Sequence, residues 1–226
     1  MRGHVVGNLL IVSLWELLGD HIQALDWVGR LLGAQGRVLP MALTPLDITA
    51  EVLGADPAKP DEVTQVRGQV AVATTPGQII SIELDPCAPA ACPEAVEAIR
   101  AADWVVLGPG SWFTSVIPHL LVPGLRDAIL GTEGRLLVSL NLEAQAGETG
   151  GFSPEDHLDV LFEHAPDLRI DTVLADVHRV PSLTALRRTV EAWGARLVAA
   201  DVAADDGSPR HDPVKLAKVY AELLTG

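Results

Sequence analysis

The sequence predicts an α/β fold, a parallel sheet sandwiched by helices with a small β-rich annex ahead of it. Three observations predict it. After residue 93, short apolar runs alternate with segments of helical periodicity. Between residues 37 and 85 the period is two, apolar against polar. The strongest apolar run, Trp104 to Leu107, stops at Gly108-Pro109-Gly110 and is followed by a helical pattern, the strand–turn–helix layout of open parallel sheets.

In chain order, Gly7 to Leu18 is apolar nearly all round, which predicts a helix covered on most sides. Asp20 to Leu32 is a second helix, with Asp20 as its cap, apolar positions at Ile22, Leu25, Val28, Leu31 and Leu32, and Gly33 at its end. Val38 to Met41, Asp47 to Leu53, Thr64 to Ala73 and Gln78 to Leu84 read as strands of the annex. A helix from Pro93 to Ala102 precedes the central strand, and its successor runs to about Leu121. A short helix starts at Pro123, a buried strand spans Arg135 to Leu140, and the glycine-bearing loop Glu143 to Ser153 follows. Ser153 caps a helix from Pro154 to His164. Asp171 to Ala175 and Arg196 to Ala200 are strands, Pro181 to Trp193 a helix, and Pro213 to Leu224 the last helix, with Asp212 as its natural cap.

At 226 residues the chain is long enough for one substantial core, and residues 1–226 are expected to form a single α/β domain with 37–85 as an annex within it. Its 30 acidic against 16 basic residues leave a formal charge of −14. That argues against nucleic acid or an anionic membrane, so a bound phosphate would be held by backbone dipoles and one or two arginines. The N-terminal apolar run is interrupted by Glu16 and Asp20, lacks a cleavage site and is too short for a bilayer. Cys87 and Cys92 lie in a proline-rich loop, too few for a zinc site or a disulfide framework, and read as reduced thiols of a cytoplasmic protein.

The glycine turn is the main candidate site. Helix-opening amides lack intrahelical acceptors and carry roughly half a positive charge, which suits phosphate. Ser111 would cap the helix, and Ser111, Thr114 and Ser115 add hydroxyls. Neither nucleotide fingerprint is complete: the P-loop lysine is absent, and Phe113 stands where G-x-G-x-x-G needs glycine. A turn that only lets strand and helix pack closely remains the alternative. Glu148, Thr149 and Phe152 are ligand candidates by their place after a strand's carboxyl end. Arg210 could grip a phosphate bidentately. Asp201, Asp205 and Asp206 could pair for acid/base work or a cation, or form an acidic surface loop. His157 and His164 read as surface or interface side chains, and no metal site is expected from this chain. No serine or cysteine has a nucleophile's context.

The segments LGPGSWFTSVIPHLLVPGL, GHVVGNLL, GRVLPM, NLEAQAGETGGFS and RHDPVKLA resemble the bacterial gluconeogenesis factor family, the YvcK-type branch of CofD-like proteins. The resemblance runs from Gly3 almost to the end. It implies a Rossmann-like three-layer α/β/α fold related to 2-phospho-L-lactate transferase. It also implies a cytoplasmic regulatory protein that binds UDP-sugars such as UDP-N-acetylglucosamine, needs no cofactor, has no established catalytic activity, and is linked to gluconeogenic growth, cell shape and peptidoglycan synthesis. By motif, Gly108, Pro109, Gly110 and Ser111 would face the diphosphate, and Phe152 falls where many relatives have a ligand-contacting tyrosine. Arg210 matches the terminal R-H-D arginine, and His4 and Asn8 would sit near the same cleft. Phe152 lacks the tyrosine hydroxyl, and the family's upstream third, with its first strand, glycine-rich loop and D-D-G segment, is expected to be missing here. A nucleotide sugar is thus the expected partner, with a homodimer left open. A CofD-like transferase using a nucleotide-activated donor is the second reading, and a remnant acting through protein contacts the third.

Overall fold

The computed structural model describes residues 5–145 and 147–225. It opens with α1 (Val6–Leu18) and α2 (His21–Leu32). Gly19 closes α1 in the left-handed conformation, and the Asp20 carboxylate accepts the Ile22 and Gln23 N–H groups at the start of α2. The two helices pack on each other. α1 is not the covered helix that its composition predicts. None of its residues is buried, and Val6 and Leu17 each stand 79% exposed. Apolar content tells what a helix could bury, not what lies beside it.

The annex is an antiparallel sheet of β1 (Asp47–Leu53), β2 (Val63–Arg67) and β3 (Gln78–Asp85), in the order β2-β1-β3. Ile48, Ala50 and Val52 alternate inward from β1. Arg67 bridges Asp47 and Asp85 at 2.8 and 2.7 Å, tying one end of all three strands together. Two expected strands differ. Val38 to Met41 is not a strand; pairing there is a lone bridge from Ala42 to Ala91. The run Thr64 to Ala73 divides at Gly68, whose φ of +98° turns the chain into the short helix α3 (Gln69–Ala73).

Beyond α4 (Pro93–Arg100) come β4 (Trp104–Leu107), a π turn (Trp112–Val116), α5 (Ile117–Leu121), α6 (Pro123–Leu130), β5 (Arg135–Ser139), α7 (Pro154–His164), β6 (Thr172–Asp176), α8 (Leu183–Ala192), β7 (Arg196–Ala200) and α9 (Pro213–Leu224). The four strands form a parallel sheet in sequential order, β4-β5-β6-β7. Alternate residues of β5 serve opposite faces. Leu136 and Val138 join Ile117, Leu158 and Leu186 in the large core, whereas Leu137 meets α9 through Leu223 and Val219. Helices therefore cover both faces, the expected α/β/α sandwich. Ile48, Val52, Ile79 and Ile82 of the annex belong to the same large core. The carboxyl ends of the four strands, Leu107, Ser139, Asp176 and Ala200, deliver the loops that build the site.

Candidate functional site

Gly108 has φ +76°, and a β-carbon there would lie 2.6 Å from the Ser139 carbonyl oxygen. The turn thus runs against the end of β5 too closely for any side chain. Two residues on, the Gly110 N–H donates to Asn141 Oδ1 at 3.0 Å, and Asn141 Nδ2 donates back to the Gly110 carbonyl at 2.8 Å. Asn141 is not among the site residues that the sequence suggests. Its available signal was a single amide directly after an apolar run. Ser111 makes no side-chain cap, contrary to expectation. The helix opens instead as a π turn, with the Ser115 and Val116 N–H groups both bonded to the Ser111 carbonyl, and only then becomes α5. Such π turns recur at functional sites.

The anion nearest this helix start is the protein's own. Glu148, 4% exposed, accepts the Phe113 N–H at 3.1 Å through Oε2 and the Thr114 hydroxyl through Oε1. Thr149 is buried as well, and its hydroxyl accepts the Gln145 N–H at 2.8 Å. Thr114, Glu148 and Thr149, all expected to touch ligand, are therefore buried: the Glu148–Thr114 pair fastens the loop after β5 to the segment that follows the glycine turn, and Thr149 braces that loop from within. Ser115 is exposed but faces a separate groove beside the annex, lined by Ile48, Leu84 and His119. His4 lies outside the described residues. Asn8 stands exposed on α1, a helix that contributes none of the described lining of the cleft.

That cleft, about 600 Å³, lies between Pro109 and Gly110 on one side and Pro209, Arg210 and His211 on the other, with Asn141 to Gln145 along its floor. It joins the glycine turn to an arginine a hundred residues away in sequence. Arg210 is exposed, its guanidinium 3.0 Å from Asp206 and 3.2 Å from the Ser208 hydroxyl. The Ser208 hydroxyl and amide, together with Arg210, hold the Asp206 carboxyl at a pKa of about 2. His211 is half-buried, and burial pushes its pKa down against the opposing pull of Asp176. Asp212 caps α9 as expected, accepting the Val214 and Lys215 N–H groups. The Lys215 ammonium reaches Asp201 at 3.0 Å, Asp205 at 2.6 Å and the Ala203 carbonyl at 3.1 Å, and is pushed up to about 12 by the two carboxylates. Two of the three aspartates considered for a cation, Asp201 and Asp205, therefore already share an ammonium, and the third, Asp206, is paired with Arg210.

Behind the cleft lies a more enclosed chamber of about 200 Å³, which shares Asn141 to Ala144 with it. Asp176 anchors its base. Burial works to raise the Asp176 pKa, but the N–H groups of Val202, His178, Ala203 and Arg179, at 2.8 to 3.0 Å, outweigh it and hold the pKa below the ordinary range. Arg179 pairs with Glu143 and reaches the Gly207 and Ser208 carbonyls at 3.3 Å, tying three loops together. His157, expected at the surface, is 4% exposed. Its Nδ1 lies 2.8 Å from the Ser153 carbonyl, which can only accept, so that nitrogen carries the proton. Burial lowers its pKa and keeps the ring neutral. Nε2 is then a buried acceptor with no partner among the described residues. Trp112 and Phe152 meet the imidazole edge-on at 5.3 and 5.4 Å. Phe152, half-buried, lines the chamber rather than the open cleft.

Comparison with known proteins decides the family. The family described as 2-phospho-L-lactate transferase CofD matches residues 1–214. The chain belongs to the CofD family. Within it, a Mycobacterium tuberculosis protein described as a "putative gluconeogenesis factor" is 51% identical over 97% of this chain and 64% of its own length. The Mycobacterium leprae counterpart, with the same description, is 49% identical over 100% of the chain and 63% of its own length. This CofD family member thus spans slightly less than two thirds of those relatives. A crystal structure of a UPF0052 family member from Bacillus halodurans superposes with a TM-score of 0.81 at 27% identity, over 96% of this chain and 72% of the other. The resemblance to YvcK-type gluconeogenesis factors and the Rossmann-like fold it implied both hold. Among the described residues no helix is long and apolar enough to cross a membrane.

Proposed function

We propose that this chain binds a nucleotide sugar of the UDP-N-acetylglucosamine type and acts as a ligand-responsive regulatory part of a cytoplasmic gluconeogenesis factor, with consequences for cell shape and peptidoglycan synthesis. One observation carries the reading: the glycine turn and Arg210 face each other across a cleft at the carboxyl ends of a parallel sheet. In a chain of net charge −14, a diphosphate needs such local donors. Gly110 and Phe113 have already given their N–H groups to Asn141 and Glu148. Among the residues that line the cleft, the donor assigned to the ligand is therefore the Arg210 guanidinium. A volume of about 600 Å³ falls within the range of small-molecule sites.

Calorimetry with UDP-N-acetylglucosamine tests this on the chain and on Arg210→Ala. Saturable heat that weakens in the variant is the expected result. Equal heats would remove Arg210 from the site, and no heat with the parent chain would end the proposal. The CofD description favours a second reading, a transferase that moves a phosphoryl-linked group from a nucleotide-activated donor. A nucleotide product released in a magnesium-dependent assay would establish it.

A further inference from the structure

We infer that the hairpin of α1 and α2 is an interface with a second copy of this chain, the two hairpins packing across a two-fold axis as a four-helix bundle. The inference does not depend on the nucleotide reading above.

Apolar surface is concentrated on this hairpin. Among the described residues, eleven of the eighteen large apolar side chains that stand exposed lie between Val5 and Val38, at 37–79% exposure. Val6, Leu10 and Leu17 share one face of α1 with Ser13, at a spacing of four, three and four that is the pattern of a helix–helix seam. Trp27 and Leu31 lie one turn apart on α2. These helices need cover. α1 has no buried residue, α2 buries only Ala24, and helices of 13 and 12 residues are marginal in water without packing.

The area is that of a dimer. A stable homodimer buries about 800 Å² per partner, about 65% of it apolar, so each copy must offer about 500 Å² of apolar surface. Fully burying a valine or leucine side chain removes roughly 60–120 Å² from water, so eleven side chains about half exposed supply an area of that order. Trp15 and Trp27, both partly exposed, are the aromatic anchors that interfaces favour.

Charge selects the occupant. Residues 1–38 hold three basic residues, Arg2, Arg30 and Arg37, and three acidic ones, Glu16, Asp20 and Asp26, so the whole net charge of −14 belongs to residues 39–226. A basic partner would be drawn to that remainder, and an anionic membrane would be repelled by it. α1 also lacks the lysines and arginines with which interfacial helices hold a membrane. A neutral apolar face is complementary to its own copy, and a two-fold axis lets one patch serve both sides. The hairpin is moreover preset. Gly19 and the Asp20 carboxylate fix the turn between its helices, and Arg37 binds Asp26 through two hydrogen bonds of 2.9 and 3.0 Å, holding the chain that leaves α2 against it. Little ordering is left for association to impose.

Sedimentation equilibrium tests this on the parent chain, on Leu17→Glu and Leu31→Glu, and on Val214→Glu as a control, a valine as exposed as Leu17 but on α9. At micromolar concentration the parent chain and the control should have twice the 23.9 kDa mass of one chain. Each hairpin variant should raise the dissociation constant at least about tenfold. A parent chain that stays monomeric, or a dimer that both hairpin variants leave intact, would overturn the inference. So would a monomeric parent chain that floats with phosphatidylcholine vesicles, which would assign the face to a membrane. Where a variant does not fold, hydrogen exchange of the parent chain at two concentrations decides: protection of α1 and α2 that falls on dilution supports the pairing, and protection unchanged by dilution refutes it.

Discussion

Asn141 and Gly110 hold each other through both ends of one carboxamide, accepting at 3.0 Å and donating at 2.8 Å. The end of β5 thereby sets the shape of the turn after its neighbour β4. Asn141→Asp keeps the size but replaces the donor by an anion facing a carbonyl and the proposed diphosphate. Its expected cost is about 1–3 kcal/mol in urea unfolding, with pyrophosphate binding lost. Asn141→Asp that binds pyrophosphate as well as the parent chain would show that the clamp does not shape the site.

Gly108→Ala should be more damaging than its size suggests. The added carbon would stand 2.6 Å from a backbone oxygen in a left-handed conformation. A loss of at least about 2 kcal/mol is expected, read as a lower urea midpoint at an unchanged slope.

Glu148 and Thr114 invite a double-mutant cycle. Glu148→Ala strands the Phe113 N–H and the Thr114 hydroxyl in the interior, at an expected cost of about 2–4 kcal/mol. Thr114→Val removes one of those bonds and should cost about 1 kcal/mol. Chemical denaturation of the single and double variants should give a coupling above about 0.5 kcal/mol.

Stability should fall in two stages as pH drops. Burial lowers the pKa of His157 and of His211 in the folded chain. Below about 6.5 the unfolded chain therefore takes up protons first, and stability declines until the folded imidazoles also protonate. Asp206, held at about 2, and Asp176, also lowered, act in the second stage. Their stabilisation is present above the ordinary carboxylate value of about 3.9 and is lost as pH falls toward 2. In thermal scans from pH 8 to pH 3, His157→Phe should flatten the upper stage and Asp206→Asn the lower. An upper stage unchanged in His157→Phe would assign it to His211.

Asp206 masks Arg210 before any ligand arrives. Asp206→Asn should free the guanidinium and tighten pyrophosphate binding about two- to fivefold, the scale of one exposed ion pair. Weaker binding in calorimetry would mean that Asp206 instead holds Arg210 in its binding posture.

Much of this fold was legible because its strands are short apolar runs with glycine or proline beside them. Arg196–Ala200 and the helices Pro154–His164 and Pro213–Leu224 fall where the sequence places them, since Ser153, Asp212 and the prolines act locally. The misreadings involve partners distant in sequence. Thr114 and Glu148 look like free polar groups until a fold brings them together across 34 positions. His157 looks exposed until Trp112 and Phe152 close around it. Gly68 breaks an alternating stretch whose pattern suits a strand on either side. Glycine turns are visible in a sequence; the carbonyl that forbids a side chain at Gly108 is not.

Lys215 gives the far end of the sheet a counter-ion that cannot diffuse away. Fixed on α9, its ammonium meets Asp201 and Asp205 at an effective concentration on the order of millimolar or above, whatever the surrounding solution contains. The balance of charge beside Arg210 is thus encoded in the chain rather than borrowed from the medium. A chelator should leave this corner unchanged, whereas acetylation of that one amine would release two carboxylates near Arg210 and set them against the proposed diphosphate.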